Sequence, residues 1–218
     1  MRYTGIIFDL DGVIVSTDIY HYLAWKQIAD KLGIPFTTED NNRLRGVSRM
    51  ESLEIILGLG CRTLTCDEKE KLLEEKNCIY RNMLDELSPD SLVTEVTQTI
   101  STLRKRGIKT AIGSSSKNAK YILEKIGLKD SFDAVSDGSN ISRSKPDPEV
   151  FIKAAAMLNM ENRDVLVVED SIAGIDAAER GGFDSAGTGD AFTASNATYH
   201  IKSITDLLPL FLSLHQTA

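Results

Sequence analysis

Residues 5–13 read GIIFDLDGV, and the rest of the fold can be predicted around them. Its apolar start predicts a buried strand, and Gly12 marks the turn that follows. Asp9 and Asp11 then stand at the carboxyl end of the strand, where open α/β sheets bind their ligands. Two carboxylates are costly to desolvate together unless a cation or a substrate compensates them. The pair therefore indicates a reaction centre.

Strands and helices alternate regularly in the second half of the chain. A helix that ends near Gly107 comes first. Predicted strands follow at residues 108–113, 132–135, 165–168 and near Ser185, with helices at residues 118–126, 148–158 and 172–180 between them. This alternation is typical of a doubly wound parallel sheet, so we predict an α/β core.

Only helices are predicted between the first strand and this alternation. Thr17 or Asp18 can cap a first helix, and capping boxes at residues 48–51 and 65–68 begin two more. We therefore predict a small helical cap domain, inserted after the first strand, that closes over the carboxyl ends of the strands. The expected domains are a catalytic core of residues 1–16 and 88–218 and a cap of residues 17–87.

The composition limits the possible partners. The 218 residues carry 25 basic and 32 acidic side chains, a net charge of -7, and no long basic run. This argues against nucleic acid and anionic membranes as partners, but it allows a small anionic substrate beside a local cluster of cations. The chain enters its first strand without an apolar signal segment, and the apolar residues 207–214 are too few to span a bilayer. We expect a cytoplasmic monomer.

The three cysteines, Cys61, Cys66 and Cys78, lack the Cys-x-x-Cys spacing of common zinc and redox sites. We expect reduced thiols, with a Cys61–Cys66 bridge as the alternative. They do not predict a metal centre.

Three further strand ends carry polar side chains. Residues 114–118, Ser-Ser-Ser-Lys-Asn, open a helix whose free N–H groups and dipole favour a phosphate, although an ordinary N-cap is the alternative. Lys145 lies in a loop stiffened by two prolines, where a solvated lysine is the alternative. Glu169 and Asp170 follow another strand, where they could also be favourable charges at a helix N-terminus.

The acidic residues of these strand ends suggest a metal site. Asp9, Asp11, Glu169 and Asp170 place four carboxylates at one edge of the predicted sheet. Such an excess of negative charge calls for a hard cation with oxygen ligands, and Mg²⁺ suits such a set. We therefore predict one magnesium ion among them.

The motifs Asp-x-Asp-Gly, Ser, Lys and Glu-Asp follow one another along the chain, each at the end of a strand, and this order resembles the haloacid dehalogenase superfamily. A response-regulator receiver domain also phosphorylates an aspartate, but it lacks the second aspartate and the helical insert. The resemblance implies that Asp9 is a nucleophile that becomes an aspartyl phosphate and that Asp11 is the general acid/base. It also implies that Ser114 and Lys145 hold the transferring phosphoryl group. The implied metal ligands are Asp9, the backbone carbonyl of Asp11, Glu169 and Asp170.

A narrower resemblance rests on Thr17, Tyr20-His21, Ala24-Trp25-Lys26, Gly46-Val47-Ser48-Arg49, Ser52-Leu53, Lys76-Asn77 and Ser116-Lys117-Asn118. These motifs are similar to those of the β-phosphoglucomutase family. Its members interconvert β-D-glucose 1-phosphate and glucose 6-phosphate through β-glucose 1,6-bisphosphate, and glucose 1,6-bisphosphate is the implied phosphorylating activator. Such an enzyme needs a second site for the phosphate that is not being transferred, and Arg49 can hold it bidentately. The implied substrate-binding residues are His21, Trp25, Gly46, Val47, Arg49, Ser52, Lys76, Ser116, Lys117 and Asn118.

Structural alternatives stay open for four cap residues. Arg49 could lie on the surface in the first turn of its helix, and Lys76 could extend along the long cap helix. Trp25 could be core packing. The resemblance implies that His21 links substrate binding to the position of Asp11, but a histidine that caps the first cap helix is the alternative.

Two other functions stay open as well. A sugar-phosphate phosphatase of the same superfamily shares the aspartyl phosphate, and its cap admits water as the acceptor. A non-catalytic sensor of phosphosugars has no need for a nucleophile beside a general acid, so the complete set of Asp9, Asp11, Lys145 and Asp170 argues against it.

A few positions depart from the family pattern. Ser16 stands at the cap hinge where relatives commonly carry Asp, and residues 94–96, Thr-Glu-Val, stand where relatives have a Pro-Gly pair. Gly113 and Ser115 occupy a segment in which similar proteins carry alanines. We expect these changes to affect cap closure and the packing of the phosphate loop rather than the chemistry.

Overall fold

The computed structural model describes residues 2–212. Met1 and residues 213–218 lie outside the described residues. The first residue and the last six residues of the predicted core, and the end of the apolar stretch 207–214, therefore also lie outside them. Within the described range the chain forms one six-stranded sheet with helices packed on both faces. The predicted α/β class is confirmed.

Parallel strands make up the whole sheet. They are β1 (Gly5–Phe8), β2 (Lys109–Gly113), β3 (Ala134–Ser136), β4 (Val165–Glu169), β5 (Asp184–Gly187) and β6 (Tyr199–His200). Their order is β3-β2-β1-β4-β5-β6, so β1 lies in the middle of the sheet, at the point where the strand order reverses. Ligands of open α/β sheets bind beyond the carboxyl ends of the strands at such a point.

The first four helices after β1 form a group of their own. They are α1 (Asp18–Lys31), α2 (Thr38–Asn42), α3 (Arg49–Leu59) and α4 (Cys66–Leu84), and together they are called the cap below. The cap has its own cluster of buried apolar residues, centred on Trp25, Ile56 and Leu57. The predicted capping boxes at Ser48 and Thr65 are both present. The domain boundaries at residues 17 and 87 stay a prediction.

The remaining helices cover the two faces of the sheet. Ile6 and Phe8 of β1 belong to one apolar cluster, and Ile7 belongs to a second cluster on the opposite face. The first cluster includes residues of α5 (Thr94–Lys105), α6 (Ala119–Lys125) and α9 (Leu208–Leu212), and the second includes residues of α7 (Glu149–Met157) and α8 (Ile172–Arg180). Because successive side chains of β1 are buried on both faces, the carboxyl end of this strand is held in place.

The start of α1 differs from the prediction. Thr17 occupies the N-cap position, but its side chain makes no capping hydrogen bond. Its hydroxyl bonds instead to Asp11 and Tyr80, because the chain passes close to the reaction centre where it enters the cap.

Some elements begin elsewhere or were not predicted. β3 begins at Ala134 rather than at residue 132, because the side chain of Asp133 accepts the N–H of Thr110 at 2.9 Å in place of a backbone carbonyl. β6 has two residues, too few to show an alternating pattern. The short helix α2 was also missed, although Thr37 and Asp40 form a capping box at its start.

No helix among the described residues combines the length and the apolar character needed to cross a membrane. Cys61, Cys66 and Cys78 are free and exposed, so the alternative bridge between Cys61 and Cys66 is not formed.

Candidate active site

A buried cluster of three carboxylates and one ammonium group lies at the carboxyl ends of β1 and β4. Nζ of Lys145 lies 2.5 Å from Oδ1 of Asp9 and also donates to Oε1 of Glu169. Asp170 completes the cluster, since one oxygen from each of the three carboxylates lies within 4.8 Å of the others. Lys145 is 1% exposed, Asp9 6% and Glu169 0%. The structure thus brings together four residues that the sequence placed at three separate strand ends.

The charges in this cluster do not balance. Burial, together with the Glu169 and Asp11 carboxylates, raises the pKa of Asp9 to about 7, although Lys145 opposes the shift. Burial and the charges of Glu169 and Asp9 raise the pKa of Asp170 to about 9. Burial by itself would lower the pKa of Lys145, but the Asp9 and Glu169 carboxylates outweigh it and raise that pKa above its usual value. One ammonium group is therefore too little to neutralise three carboxylates.

The donor set fits a hard divalent cation. Such cations prefer carboxylate oxygens, and the raised pKa values of Asp9 and Asp170 indicate negative charge that lacks a partner. Both oxygens of Glu169 are already bonded, Oε1 to Lys145 and Oε2 to the N–H and hydroxyl of Ser171. Asp9 and Asp170 are therefore the principal candidate ligands. Glu169 is a weaker candidate, because both of its oxygens already have partners.

The Asp11 carboxylate belongs to a second hydrogen-bonded group. Its Oδ1 accepts a hydrogen bond from the hydroxyl of Thr17, and that hydroxyl lies 2.9 Å from the hydroxyl of Tyr80 on α4. Burial raises the pKa of Asp11, which favours a carboxyl group that can hold and release a proton. The ring of His21 packs 4.1 Å from the ring of Tyr80, measured between centroids. Tyr80 and Thr17 therefore form one path of contacts from His21 to Asp11.

The cap contributes positive charge that carboxylates do not neutralise. Within the described residues neither Arg49 nor Lys76 forms a salt bridge. Nζ of Lys76 lies 2.9 Å from Nδ1 of His21, 4.4 Å from the ring centroid of Tyr80 and 5.0 Å from that of Trp25. Burial and the charge of Arg49 lower the pKa of Lys76 well below its usual value, and burial lowers that of His21 as well. An anion bound here would raise the pKa of Lys76 and so favour its charged form.

Residues 114–118 form a compact loop before α6. The hydroxyl of Ser114 accepts the N–H of Ser116, and the hydroxyl of Ser116 accepts the N–H of Asn118, both at 3.2 Å. The side chain of Asn118 makes no capping bond to α6, so an ordinary N-cap does not explain the loop. Its Nδ2 donates instead to Oδ1 of Asn77 in the cap at 3.0 Å.

A cavity of about 490 Å³ lies between the cap and the edge of the sheet, a size that suits a small ligand. Glu169 is buried behind it. Trp25 is also part of the cap core, and the Ser52 hydroxyl donates to the Ser48 carbonyl inside α3 at 3.0 Å, so both have structural contacts as well. The sequence-predicted residues that line the cavity are Asp9, Asp11, His21, Trp25, Gly46, Val47, Arg49, Ser52, Lys76, Ser114, Ser116, Lys117, Asn118, Lys145 and Asp170.

Sequence reasoning missed two cavity residues of note. Tyr80 follows Lys76 by four positions on α4, so the shared helix face was the signal that could have found it. Arg45 forms ion pairs with Asp18 and Asp190, each at 2.6 Å. No sequence pattern predicts this second pair, because Asp190 is far along the chain.

Gly113 and Ser115, which stand in a segment where similar proteins carry alanines, both have specific contacts near the phosphate loop. A Cβ atom at Gly113 would lie 2.7 Å from the ring of Phe151 and 2.9 Å from Ile7, so the position tolerates no larger residue without a shift. The hydroxyl of Ser115 donates to the carbonyl oxygen of Gly46 at 2.9 Å, which adds a contact between the core and the cap.

A model of haloacid dehalogenase-like hydrolases matches residues 3–182. The chain belongs to the haloacid dehalogenase-like hydrolase family. Within this family it is 39% identical to a β-phosphoglucomutase of Bacillus subtilis, over 93% of this chain and 91% of that protein. It is 29% identical to a phosphorylated carbohydrates phosphatase of Thermotoga maritima, over 83% of this chain and 82% of that protein.

A solved structure agrees with these sequence matches. The crystal structure of a β-phosphoglucomutase from Clostridium difficile is 36% identical and matches with a TM-score of 0.89, covering 94% of this chain and 93% of that one. The resemblance to the haloacid dehalogenase superfamily is thereby confirmed.

Proposed function

We propose that this chain is a magnesium-dependent phosphomutase that interconverts β-D-glucose 1-phosphate and glucose 6-phosphate through β-D-glucose 1,6-bisphosphate. Its likeness to β-phosphoglucomutases in sequence and in structure, over nearly the whole chain, supports this function. The geometry of the cavity supports it independently.

The cavity has basic side chains on both of its sides, and this arrangement is the main structural support for the proposal. On the core side, Lys145 bonds to Asp9, the candidate nucleophile. On the cap side, Arg49 and Lys76 have no carboxylate partner within the described residues. A sugar bisphosphate carries one phosphate at each end of the molecule. With Mg²⁺ to offset the carboxylates beside Lys145, the core side would take one phosphate, and Arg49 on the cap side would take the other. Such a cavity suits a bisphosphate better than a single phosphate.

In the first transfer, phosphorylated Asp9 gives its phosphoryl group to the 6-hydroxyl of β-D-glucose 1-phosphate. Asp11 takes the proton of that hydroxyl, and the products are the 1,6-bisphosphate and a free Asp9 carboxylate. Lys145 and Ser114 bind the oxygens of the phosphoryl group as it moves, while Arg49 holds the phosphate that is not transferred.

In the second transfer, the bisphosphate binds in the opposite orientation. Asp9 attacks the phosphorus of the 1-phosphate, and Asp11 gives its proton to the departing sugar oxygen. Glucose 6-phosphate leaves, and the aspartyl phosphate is restored. The contact of Asn118 with Asn77 keeps the cap against the core, which limits the access of water to the aspartyl phosphate.

Mg²⁺, held by Asp9, Asp170 and the backbone carbonyl of Asp11, would neutralise charge on the transferring group. Glu169 fixes Lys145 and is itself fixed by Ser171, so it orients the ligand set.

A sugar-phosphate phosphatase is the second candidate. The likeness to the phosphorylated carbohydrates phosphatase of Thermotoga maritima favours it. In that case Asp11 would deprotonate a water molecule instead of a sugar hydroxyl, and the same Asp9 intermediate would be hydrolysed.

The need for a bisphosphate separates these two functions. When a phosphomutase occasionally releases the bisphosphate before the second transfer, its aspartate is left unphosphorylated. A trace of added bisphosphate is then needed to restore the aspartyl phosphate. We expect glucose 6-phosphate formation from β-D-glucose 1-phosphate, in the presence of Mg²⁺, to rise steeply with trace glucose 1,6-bisphosphate. Release of phosphate at a rate that does not depend on the bisphosphate would instead indicate the phosphatase.

A further inference from the structure

Two serine hydroxyls of the core bond to one short segment of the cap, residues 46–51. Ser115, in the loop after β2, donates to the carbonyl oxygen of Gly46 at 2.9 Å. Ser144, the residue before Lys145, donates to Oε2 of Glu51 at 2.5 Å. Neither bond is part of the chemistry described above. Both join residues that are distant in the sequence, so both depend on the cap lying against the core.

The bond from Ser144 is built into the start of α3. Oε2 of Glu51 also accepts the N–H of Ser48 at 2.8 Å, which is half of the capping box of this helix. The same N–H lies 3.2 Å from Oγ of Ser144. The Ser144 hydroxyl therefore contacts the N-terminus of α3 directly, at both the backbone N–H of Ser48 and the capping carboxylate of Glu51.

The segment held in this way carries Arg49, the first residue of α3. Gly46 lies three residues before Arg49, and Glu51 lies two residues after it, so the two core hydroxyls hold the chain on both sides of the guanidinium-bearing residue. Gly46 has a φ of 77°, a conformation that favours glycine, and a Cβ there would lie 2.9 Å from Oγ of Ser171. The backbone is thus adapted to lie close to the core at this point.

We propose that Ser115 and Ser144 are positioning residues that set Arg49 at a fixed place opposite the nucleophile Asp9. Lys145 is held independently by Asp9 and Glu169, so the loss of either serine hydroxyl leaves the core half of the site in place. The substrates affected are those that need the cap-side phosphate site. The choice of sugar phosphate as the affected substrate rests on the proposed function. The bonds of Ser115 and Ser144 to residues 46–51 do not depend on it.

The test compares Ser115→Ala, Ser144→Ala and the double variant with the unchanged protein. Two substrates are used: β-D-glucose 1-phosphate with a trace of the bisphosphate, and a small aryl phosphate that has no second phosphate. We expect each single variant to raise the KM for the sugar phosphate about five-fold and the double variant to raise it more. Ser115→Ala loses the bond to the Gly46 carbonyl, and Ser144→Ala loses the charge-assisted bond to Glu51. Turnover of the aryl phosphate should change by less than about two-fold.

Two controls separate positioning from general damage. Ser139→Ala removes a hydroxyl from the same region of the core, one that bonds to Asp137 and does not touch the cap, and it should leave the KM unchanged. Ser144→Thr keeps the hydroxyl and should restore the KM. Equal losses on both substrates would mean a merely structural role and would overturn the proposal.

Hydrogen exchange of the ligand-free protein tests the contact without any substrate. We expect the amides of residues 46–51 to exchange several-fold faster in Ser144→Ala and in the double variant, with no change in Ser139→Ala. Unchanged exchange would overturn the positioning role. If exchange rises as expected but the unchanged protein forms no glucose 6-phosphate, the positioning role stands and the proposed mutase function fails.

Discussion

Nζ of Lys145 lies 2.5 Å from Oδ1 of Asp9, and both side chains are buried. The same ammonium group bonds to Glu169, which is fully buried. A cation in this position can neutralise the oxygens of a phosphoryl group that moves to and from Asp9. The ammonium group also offsets the free-energy cost of burying the Asp9 and Glu169 carboxylates. Catalysis and stability therefore both depend on Lys145.

Replacement of Lys145 by Met should therefore damage both properties. We expect kcat for any phosphate ester to fall by about 10²-fold or more, because the charge at the transferring group is lost. The free energy of unfolding should fall by about 3 kcal/mol, because Asp9 and Glu169 are left without their partner. Urea unfolding and steady-state kinetics measure the two effects. Lys129→Met is the control, since Lys129 forms an exposed pair with Glu124 at 3.7 Å, and it should change neither. A Lys145→Met protein with normal kcat would exclude Lys145 from the phosphoryl site.

Asp11→Asn should stop the proton transfer and leave the site intact. The amide has the shape of the carboxyl group and can still accept the Thr17 hydroxyl, but it cannot take up a proton. We expect turnover of the sugar phosphate to fall by about 10²- to 10⁴-fold. Calorimetry should show Mg²⁺ binding retained, because the Asp11 carboxylate lies outside the group of Asp9, Glu169 and Asp170. If the variant keeps full activity, Asp11 is not the acid/base.

Arg49→Ala should separate the two kinds of substrate. The cap-side phosphate of the bisphosphate loses its bidentate partner, so we expect isomerisation of the sugar phosphate to fall by about 10²-fold. Hydrolysis of a small aryl phosphate should change little, since that substrate does not reach the cap. Arg43→Ala is the matched control, because Arg43 is exposed and does not line the cavity. Equal losses on both substrates would mean that Arg49 does not bind the distal phosphate.

The stability of the metal-free protein should fall as the pH rises. Burial and neighbouring carboxylates raise the pKa of Asp9 to about 7 and that of Asp170 to about 9, whereas an unfolded Asp has a pKa near its ordinary value of about 4. Between about pH 4 and pH 9 the folded protein therefore binds more protons than the unfolded chain, and stability decreases with pH in that window.

Mg²⁺ should reverse this trend, because it binds the ionised carboxylates. The measurement is the urea midpoint in a chelator and in Mg²⁺, each at pH 5 and pH 8.5. We expect a larger gain from Mg²⁺ at pH 8.5 than at pH 5. Asp170→Asn should flatten the pH dependence in the chelator. A midpoint that rises with pH in the metal-free protein would contradict the charge imbalance described for this cluster.

The core half of the site could be predicted because each residue follows a strand of one parallel sheet. Once β1, β2 and β4 were placed, Asp9, Ser114 and Glu169 had to meet at the same sheet edge. The cap half was less accessible to prediction. Lys76 and Arg49 were found by resemblance, whereas Tyr80 was overlooked because an aromatic residue on a buried helix face is ordinarily core packing.

Contacts between the cap and the core could not be predicted from the sequence. The bond of Ser144 to Glu51 and the pair of Arg45 with Asp190 join residues that share no periodicity or motif. They depend on where two separately folded groups of helices and strands come to lie. Similarly, the two-residue strand β6 pairs with β5 without a sequence pattern of its own.

In a phosphomutase, the bisphosphate rebinds in this cavity in the opposite orientation instead of being hydrolysed. The most direct measurement follows glucose 6-phosphate and free phosphate in one tube, after β-D-glucose 1-phosphate, Mg²⁺ and a trace of glucose 1,6-bisphosphate are mixed with the protein. We expect glucose 6-phosphate to accumulate as β-D-glucose 1-phosphate disappears, with little free phosphate. Free phosphate and glucose in equal amounts, without glucose 6-phosphate, would contradict it.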